Sequence, residues 1–292
     1  MEDDTVRHIT KLCKTLREPW KLTFVKQLGH GAFGSVDLMR DNATNRRFAV
    51  KKEAISAVAQ LPNEFNTYRH LLDATGNPMP GTPGVYMLWT HKMANQYWMV
   101  MQELGSSLDK HSARITKRDV LSWIWPKALA ILAGIHRKDI IHRDIKPENF
   151  LTGPDGLDGH QLYLTDFGLS KRIRMHGEHI PFRTGKRFAG TTRYASRSAH
   201  HGEEQSCRDD LESLGYVMLF LFNRTLPWMG IKGATASERD AQVGALKDAL
   251  SPEALCAKMP NQFLHYFRYV RSLQFGDMPD YQLLAGFITK PM

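Results

Sequence analysis

Cysteine is scarce in this chain of 292 residues: Cys13, Cys207 and Cys256 stand alone, without pairing or metal-ligand spacing. That excludes a disulfide scaffold and a cysteine-rich zinc module, and it fits free thiols in a reducing compartment. Long apolar runs are lacking as well. The longest, residues 217–222, falls far short of the ~20 residues that cross a bilayer. The opening Met1-Glu2-Asp3-Asp4 is acidic and no apolar stretch follows it, so no secretory signal is expected. Internal repeats and low-complexity tracts are absent, and nothing in the composition suggests disorder. With 42% hydrophobic and 24% charged residues, the chain can bury a core for one two-lobed domain or two small ones. An acidic excess is lacking too: 39 Lys and Arg against 30 Asp and Glu leave a net charge of +9.

What is present is a dense set of phosphoryl-transfer groups. His142-Arg143-Asp144-Ile145-Lys146-Pro147-Glu148-Asn149 is followed by Asp166-Phe167-Gly168. Asp144 can orient a hydroxyl, Lys146 can meet a phosphate, and Asn149 with Asp166 can hold magnesium beside ATP. Three residues such as Asp-Phe-Gly recur by chance; the ordered set does not. The remaining groups lie upstream in the matching order. Gly29-His30-Gly31-Ala32-Phe33-Gly34 sits between the apolar run 22–28 and Ser35-Val36-Asp37-Leu38, which reads as strand, glycine turn, strand. A dinucleotide-binding loop with the same glycine spacing would open a helix instead. Glycines let backbone approach phosphates closely, and Phe33 can cap the tip. Phe48-Ala49-Val50-Lys51 reads as a short strand ending in a lysine that can hold the α- and β-phosphates if a carboxylate pins it. Glu64 is the best candidate, within a helical stretch over 61–72 where Phe65, Tyr68, Leu71 and Leu72 recur at helical spacing. In isolation, Lys51 and Glu64 could equally be a surface pair.

Residues 1–21 form a polar lead with an amphipathic stretch at Ile9, Leu12 and Leu16, expected to be a short packing helix. Residues 22–101 read as strands plus one helix, with the Gly/Pro-rich 76–84 as a loop before strands at 85–90 and 97–101. Gln102-Glu103-Leu104-Gly105 reads as a hinge whose backbone can meet an adenine edge. Beyond it the chain is mainly helical, at 117–137, 207–223, 238–250 and 262–273. The spacing predicts an α+β protein: a β-rich first lobe over 22–101, a hinge at 102–105 and a helical second lobe over 106–292. Asp210 opens the most apolar helix. It can anchor the loop around Asp144 or act as a helix N-cap.

The segments His179-Ile180-Pro181-Phe182-Arg183, Gly190-Thr191-Thr192-Arg193-Tyr194-Ala195-Ser196, residues 204–216 and Leu226-Pro227-Trp228 together resemble the casein kinase 1 family. The likeness runs from about residue 22 to Met278-Pro279-Asp280-Tyr281, nearly the whole chain. It implies a bilobal protein kinase fold and a serine/threonine kinase that needs no activating phosphorylation. The Ala-Pro-Glu that ends many activation segments is missing here, as it is in that family. Carried over by position, Asp144 resembles the catalytic base, Lys146 the γ-phosphate contact, Asn149 and Asp166 the magnesium ligands, and Lys51 with Glu64 the nucleotide clamp. Asp210 resembles the loop anchor, and Met101 the residue at the back of the adenine pocket. The expected ATP-contacting set is Leu28, Gly29, Gly31, Phe33, Gly34, Val36, Ala49, Lys51, Glu64, Met101, Gln102, Glu103 and Leu104. Independently of family, Lys146 favours serine or threonine over tyrosine as acceptor. Several places depart from the family: Ser196-Arg197-Ser198 replaces Ser-Ile-Asn, the segment between Gly105 and Val120 is shorter, and Ala236-Ser237-Glu238-Arg239 replaces a lysine-rich run used in nuclear import. No long C-terminal tail is expected after Phe287.

Lys171, Arg172, Arg174, Arg183, Lys186, Arg187 and Arg193 crowd one segment. Arginine presents a planar fork suited to phosphate. The resemblance points to Lys186, Arg193 and Arg239 with the backbone near Gly230 as a site for an acidic or phosphorylated substrate; a merely solvated basic loop is the alternative. No stacking platform suggests specific nucleic-acid binding. The expectation is therefore an intracellular, monomeric kinase, cytoplasmic or nuclear, using ATP and Mg2+ on acidic or pre-phosphorylated proteins and not bound to membrane. The competing expectation is a silent kinase-fold scaffold binding partners through its basic face. Such scaffolds commonly lose the lysine or an active-site aspartate, whereas Lys51, Asp144, Asn149 and Asp166 are all present.

Overall fold

In the computed structural model the described residues are 22–31, 34–175 and 177–289. The lead segment 1–21, Phe33 and Cys13 lie outside them. Strands β1 (Leu22–Gly31), β2 (Gly34–Asp41), β3 (Arg47–Ala54), β4 (Val85–His91) and β5 (Gln96–Gln102) form one antiparallel sheet in the order β1-β2-β3-β5-β4. The β1–β2 hairpin closes on Gly31 opposite Gly34. Gly34 takes a φ of 149°, and a Cβ there would come within 1.8 Å of the Lys52 carbonyl oxygen, so only glycine fits.

Helix α1 (Leu61–His70) lies against this sheet. Its start is held from β3: the Glu53 carboxylate accepts hydrogen bonds from the backbone amides of Gln60 and Leu61, placing negative charge where the helix dipole favours it. Leu61, Glu64 and Tyr68 share the buried face. Helical spacing therefore puts a carboxylate on the side where apolar residues belong.

The second lobe is mainly helical. The expected helix over 117–137 is broken into α2 (Lys117–Asp119), a π-helical turn at Val120–Ile124 and α3 (Trp125–Arg137). Pro126 has no N–H to continue the i→i−4 ladder, and the Trp125 amide reaches back to the Val120 carbonyl instead. Three short strand pairs follow: β6 (Ile140–Ile141) with β9 (Lys171–Arg172), β7 (Phe150–Thr152) with β8 (Leu162–Leu164), and β10 (Arg174–Met175) with β11 (Glu178–His179). Beyond them lie α4 (Arg197–His200), α5 (Cys207–Asn223), α6 (Ala236–Ala249), α7 (Pro252–Leu255), α8 (Asn261–Ser272) and α9 (Tyr281–Thr289).

The pillar is α5, buried over most of its length and packed on α3 and α8. Trp125, Tyr216, Phe263, Tyr266 and Phe267 fill the space between them. α4 and α7, four residues each, are too short to carry a periodic signal. α9 also lay outside the sequence expectation, although the Asp280 carboxylate accepts from the amides of Gln282 and Leu283 as a helix cap does. Among the described residues no helix is long and apolar enough to cross a membrane.

Candidate active site

The two lobes meet at Lys51. Its Nζ, carried by β3, lies 2.7 Å from Glu64 Oε2 on α1 and 2.7 Å from Asp166 Oδ1 in the second lobe. Burial works against the lysine's charge, but the two carboxylates more than reverse that and raise its pKa. For Glu64, 1% exposed, burial wins and its pKa rises. For Asp166 burial also pushes upward, yet the Lys51 ammonium outweighs it and holds the carboxyl below its ordinary range. One cation thus fixes two carboxylates that would otherwise repel each other.

Asp166 adopts a left-handed backbone, φ 67°, pinned by its amide donating to the Tyr68 hydroxyl at 3.2 Å. Phe167 packs edge-on between the Tyr68 and His142 rings, at 5.0 and 4.8 Å. The β7–β8 hairpin brings Asn149 and Thr165 to one end, where the Thr165 amide donates to the Asn149 carbonyl. Tyr68 and His142 belong to this site and were not singled out for it from the sequence.

The loop carrying Asp144 hangs from α5. Asp210 accepts from the backbone amides of His142 and Arg143 at 2.7 and 2.8 Å, and pairs with His136 Nε2 at 2.9 Å. The N-cap position falls instead to Ser206, whose backbone amide donates to the Asp209 carboxylate at 2.8 Å. Arg143 is the second residue here with a left-handed backbone, φ 67°, and its Nε donates to the Leu169 carbonyl. Such strain persists only where the surroundings over-determine it.

His136 is fully buried between Asp210 and the Tyr281 hydroxyl. Burial opposes its protonation, but the Cys207 sulfur and the Asp210 carboxylate outweigh this and raise its pKa from 6.5 to about 10. A raised histidine contributes stability in full below its unfolded value and loses it as pH climbs toward the folded one. The urea midpoint of the protein is therefore expected to fall between pH 6.5 and 10, and to fall less steeply in His136→Gln. Equal slopes would mean that His136 carries no charge in the fold.

At the loop's tip, Lys146 Nζ donates to Asp144 Oδ2 at 2.6 Å and the Thr191 hydroxyl donates to Asp144 Oδ1 at 2.7 Å. Asn149 Nδ2 donates to the Asp144 carbonyl at 2.9 Å, which leaves its side-chain oxygen for other partners. Thr191 reaches Asp144 because Gly190 (φ 109°) runs beneath Arg143, where a Cβ would meet the Arg143 carbonyl at 2.7 Å. In the sequence Thr191 stood only as a member of the segment 190–196, with no contact assigned to it.

Ala49 faces Met101 across β3 and β5, and Leu28 and Val36 pack partly exposed against the same cluster, forming apolar walls. Behind them, Gln102 and Gly84 exchange backbone and side-chain hydrogen bonds, and Glu103 pairs with Arg47 at 2.9 Å. The Leu104 amide makes no hydrogen bond among the described residues. Among the described residues nothing lies within 4 Å of where a Cβ would stand at Gly29 or Gly31, so their packing does not demand glycine there.

The basic segment divides. Lys171 and Lys186 both pair with Glu204, at 2.6 and 3.1 Å, beside Arg143 and Arg187. Arg193 is exposed and lies over the Tyr194 and Phe220 rings. Arg239 reaches Asp240 at 3.4 Å, and Asp240 in turn accepts from the Thr192 hydroxyl. Arg239 thus meets, through Asp240, the Thr192 that precedes Arg193, whereas Lys186 is drawn to Glu204. Sequence proximity could not reveal the two carboxylates that divide the cluster.

The donor set suits a magnesium nucleotide. Asp166 and Asn149 offer oxygen donors, and among the described residues no group of three or more His, Cys, Asp or Glu forms a self-sufficient metal cage. Magnesium is typically held in this way, by one or two protein oxygens with phosphates and water completing its shell. The apolar walls with a free Leu104 amide would take an adenine. A family model described as protein kinase domain matches residues 22–263.

Proposed function

The chain belongs to the protein kinase domain family, and on that premise we propose that it is a serine/threonine kinase of casein kinase 1 type, acting on acidic or pre-phosphorylated proteins inside the cell. The observation that carries this reading is the assembled pair of triads, Lys51 with Glu64 and Asp166, and Asp144 with Lys146 and Thr191.

Bound magnesium-ATP supplies the phosphoryl group and the cation that offsets its charge. The chain's own residues then divide the work. Asp144 would accept a hydrogen bond from the acceptor hydroxyl and take its proton, in place of the Thr191 or Lys146 contact it makes here. Lys146 would place positive charge between Asp144 and the transferred group. Lys51, pinned by Glu64, would hold the α- and β-phosphates, and Asp166 and Asn149 would hold the metal. Preorganised charge of this kind is the largest source of catalysis in phosphoryl transfer. A silent scaffold has no comparable support, because each of these groups is in place.

Glu204 supports a constitutively active reading. Arg143, Lys171 and Lys186 gather around a carboxylate that the chain already carries. A phosphorylated activation segment would supply charge of the same sign. Unphosphorylated protein is therefore expected to be active on a peptide array.

Arg193 and Arg239 are the groups proposed to read phosphate on the substrate. The double variant Arg193→Ala with Arg239→Ala is expected to lower kcat/KM for a peptide carrying phosphoserine upstream of its target by about 10-fold, through lost charge pairs, and to leave a neutral unprimed peptide nearly unchanged. The primed advantage should shrink as salt rises. Equal losses on both peptides would point to a damaged groove, and activity appearing only after loop phosphorylation would overturn the constitutive reading.

A further inference from the structure

Lys247 on α6 is fully buried, yet among the described residues it has no carboxylate partner. Its Nζ donates to the carbonyls of Thr192 and Ala195 at 2.8 and 2.7 Å and lies 3.1 Å from His200 Nε2. The rings of Tyr216 and Trp228 lie 5.0 and 4.9 Å away. An ammonium has three N–H donors and no acceptor, and here three acceptors and two aromatic faces surround it. Burial lowers its pKa to about 7, although the Glu212 and Asp240 carboxylates act in the other direction. An apolar side chain would fill the same space without desolvating a charge.

The compensating need lies in the segment it grips. Residues 191–196 belong to no helix or strand: the Thr191 and Ser196 carbonyls still accept from backbone amides, but among the described residues those of Thr192, Arg193 and Ala195 meet none. Lys247 takes two of them, and Trp228 Nε1 donates to the Arg193 carbonyl between, at 2.7 Å. This is the segment whose Thr191 reaches Asp144 and whose Ser196 hydroxyl is tied to Asp209. None of these bonds touches Lys51, Glu64 or Asp166.

We infer that Lys247 is a positioning residue for the protein substrate: by clasping the carbonyls of Thr192 and Ala195 it holds residues 191–196 at the height where an acceptor peptide meets Asp144, with no part in holding the nucleotide. The inference rests on the kinase reading for its functional half and on the hydrogen bonds alone for its structural half.

The test pairs amide hydrogen exchange with kinetics on Lys247→Met, which keeps length and apolar character but removes every donor. Exchange over 190–196 should accelerate while 207–223 keeps its protection. The peptide KM should rise by about tenfold or more, as expected when a reacting group is misplaced, while the ATP KM stays within about twofold. Lys247→Gln, which retains two N–H donors, should recover part of both effects and covers the case in which the methionine variant does not fold. A folded Lys247→Met with wild-type exchange over 190–196, or with ATP and peptide KM rising together, would overturn the inference. If wild-type protein phosphorylated no peptide but the exchange difference appeared, the kinase reading would fail and the clasp would stand.

Discussion

Asp166→Asn is expected to abolish phosphoryl transfer and leave the protein folded. Asparagine tolerates the left-handed backbone at this position, has the same shape, and keeps the amide that donates to the Tyr68 hydroxyl. What it removes is one negative charge. In the free protein that costs Lys51 one of its two carboxylate partners, while Glu64 retains the other. In the working enzyme it removes a metal ligand from the place where charge is redistributed, and the loss of kcat should reach about 1,000-fold or more. The thermal midpoint is expected to change little, because the Asp166 side chain is 44% exposed and its ion pair is only partly sheltered. A folded variant with near-normal turnover would remove Asp166 from the metal site.

Lys51→Met and Glu64→Gln are expected to differ in degree and in kind. Lys51→Met removes the cation proposed for the phosphates and should lower kcat/KM by about 100-fold to 1,000-fold. It also leaves the buried Glu64 carboxylate without its ion-pair partner. Glu64 would then protonate, since burial already raises its pKa and Lys51 is what opposes that rise. Glu64→Gln keeps an oxygen for the lysine but not the charge, so Lys51 should lean toward Asp166 and activity should fall by about 10-fold to 100-fold. Turnover assays, with near-ultraviolet circular dichroism to confirm the fold, separate the two. An unaffected rate in Lys51→Met would mean that another group holds the phosphates.

The candidate set Lys51, Asp144, Asn149 and Asp166 was legible from its order along the chain: a strand-borne lysine, a loop with aspartate and asparagine, and a second aspartate after a hairpin. The five strands and the long helices were equally legible, since apolar periodicity, glycine and proline act over a few neighbouring residues. Local rules also failed locally. Pro126 interrupts the helix expected over 117–137 with a π turn, and α9 lies where no helix is expected although Asp280 caps it.

Tertiary structure decided everything that depends on which distant side chain arrives. Asp210 could be a cap or an anchor until Ser206 took the cap position and the amides of His142 and Arg143 turned to Asp210. The seven basic residues of one segment could act together until Glu204 drew Lys171 and Lys186 to itself, and outside that segment Arg239 lies beside Asp240. Thr191 and Lys247 carried no signal for these contacts, because a hydroxyl and a lysine are ordinary residues until a carboxylate or a pair of orphan carbonyls lies within 3 Å of them. Composition and periodicity express what a residue prefers near its neighbours in sequence. Hydrogen bonds and ion pairs are satisfied by whichever group the fold delivers, and only the folded chain selects that group.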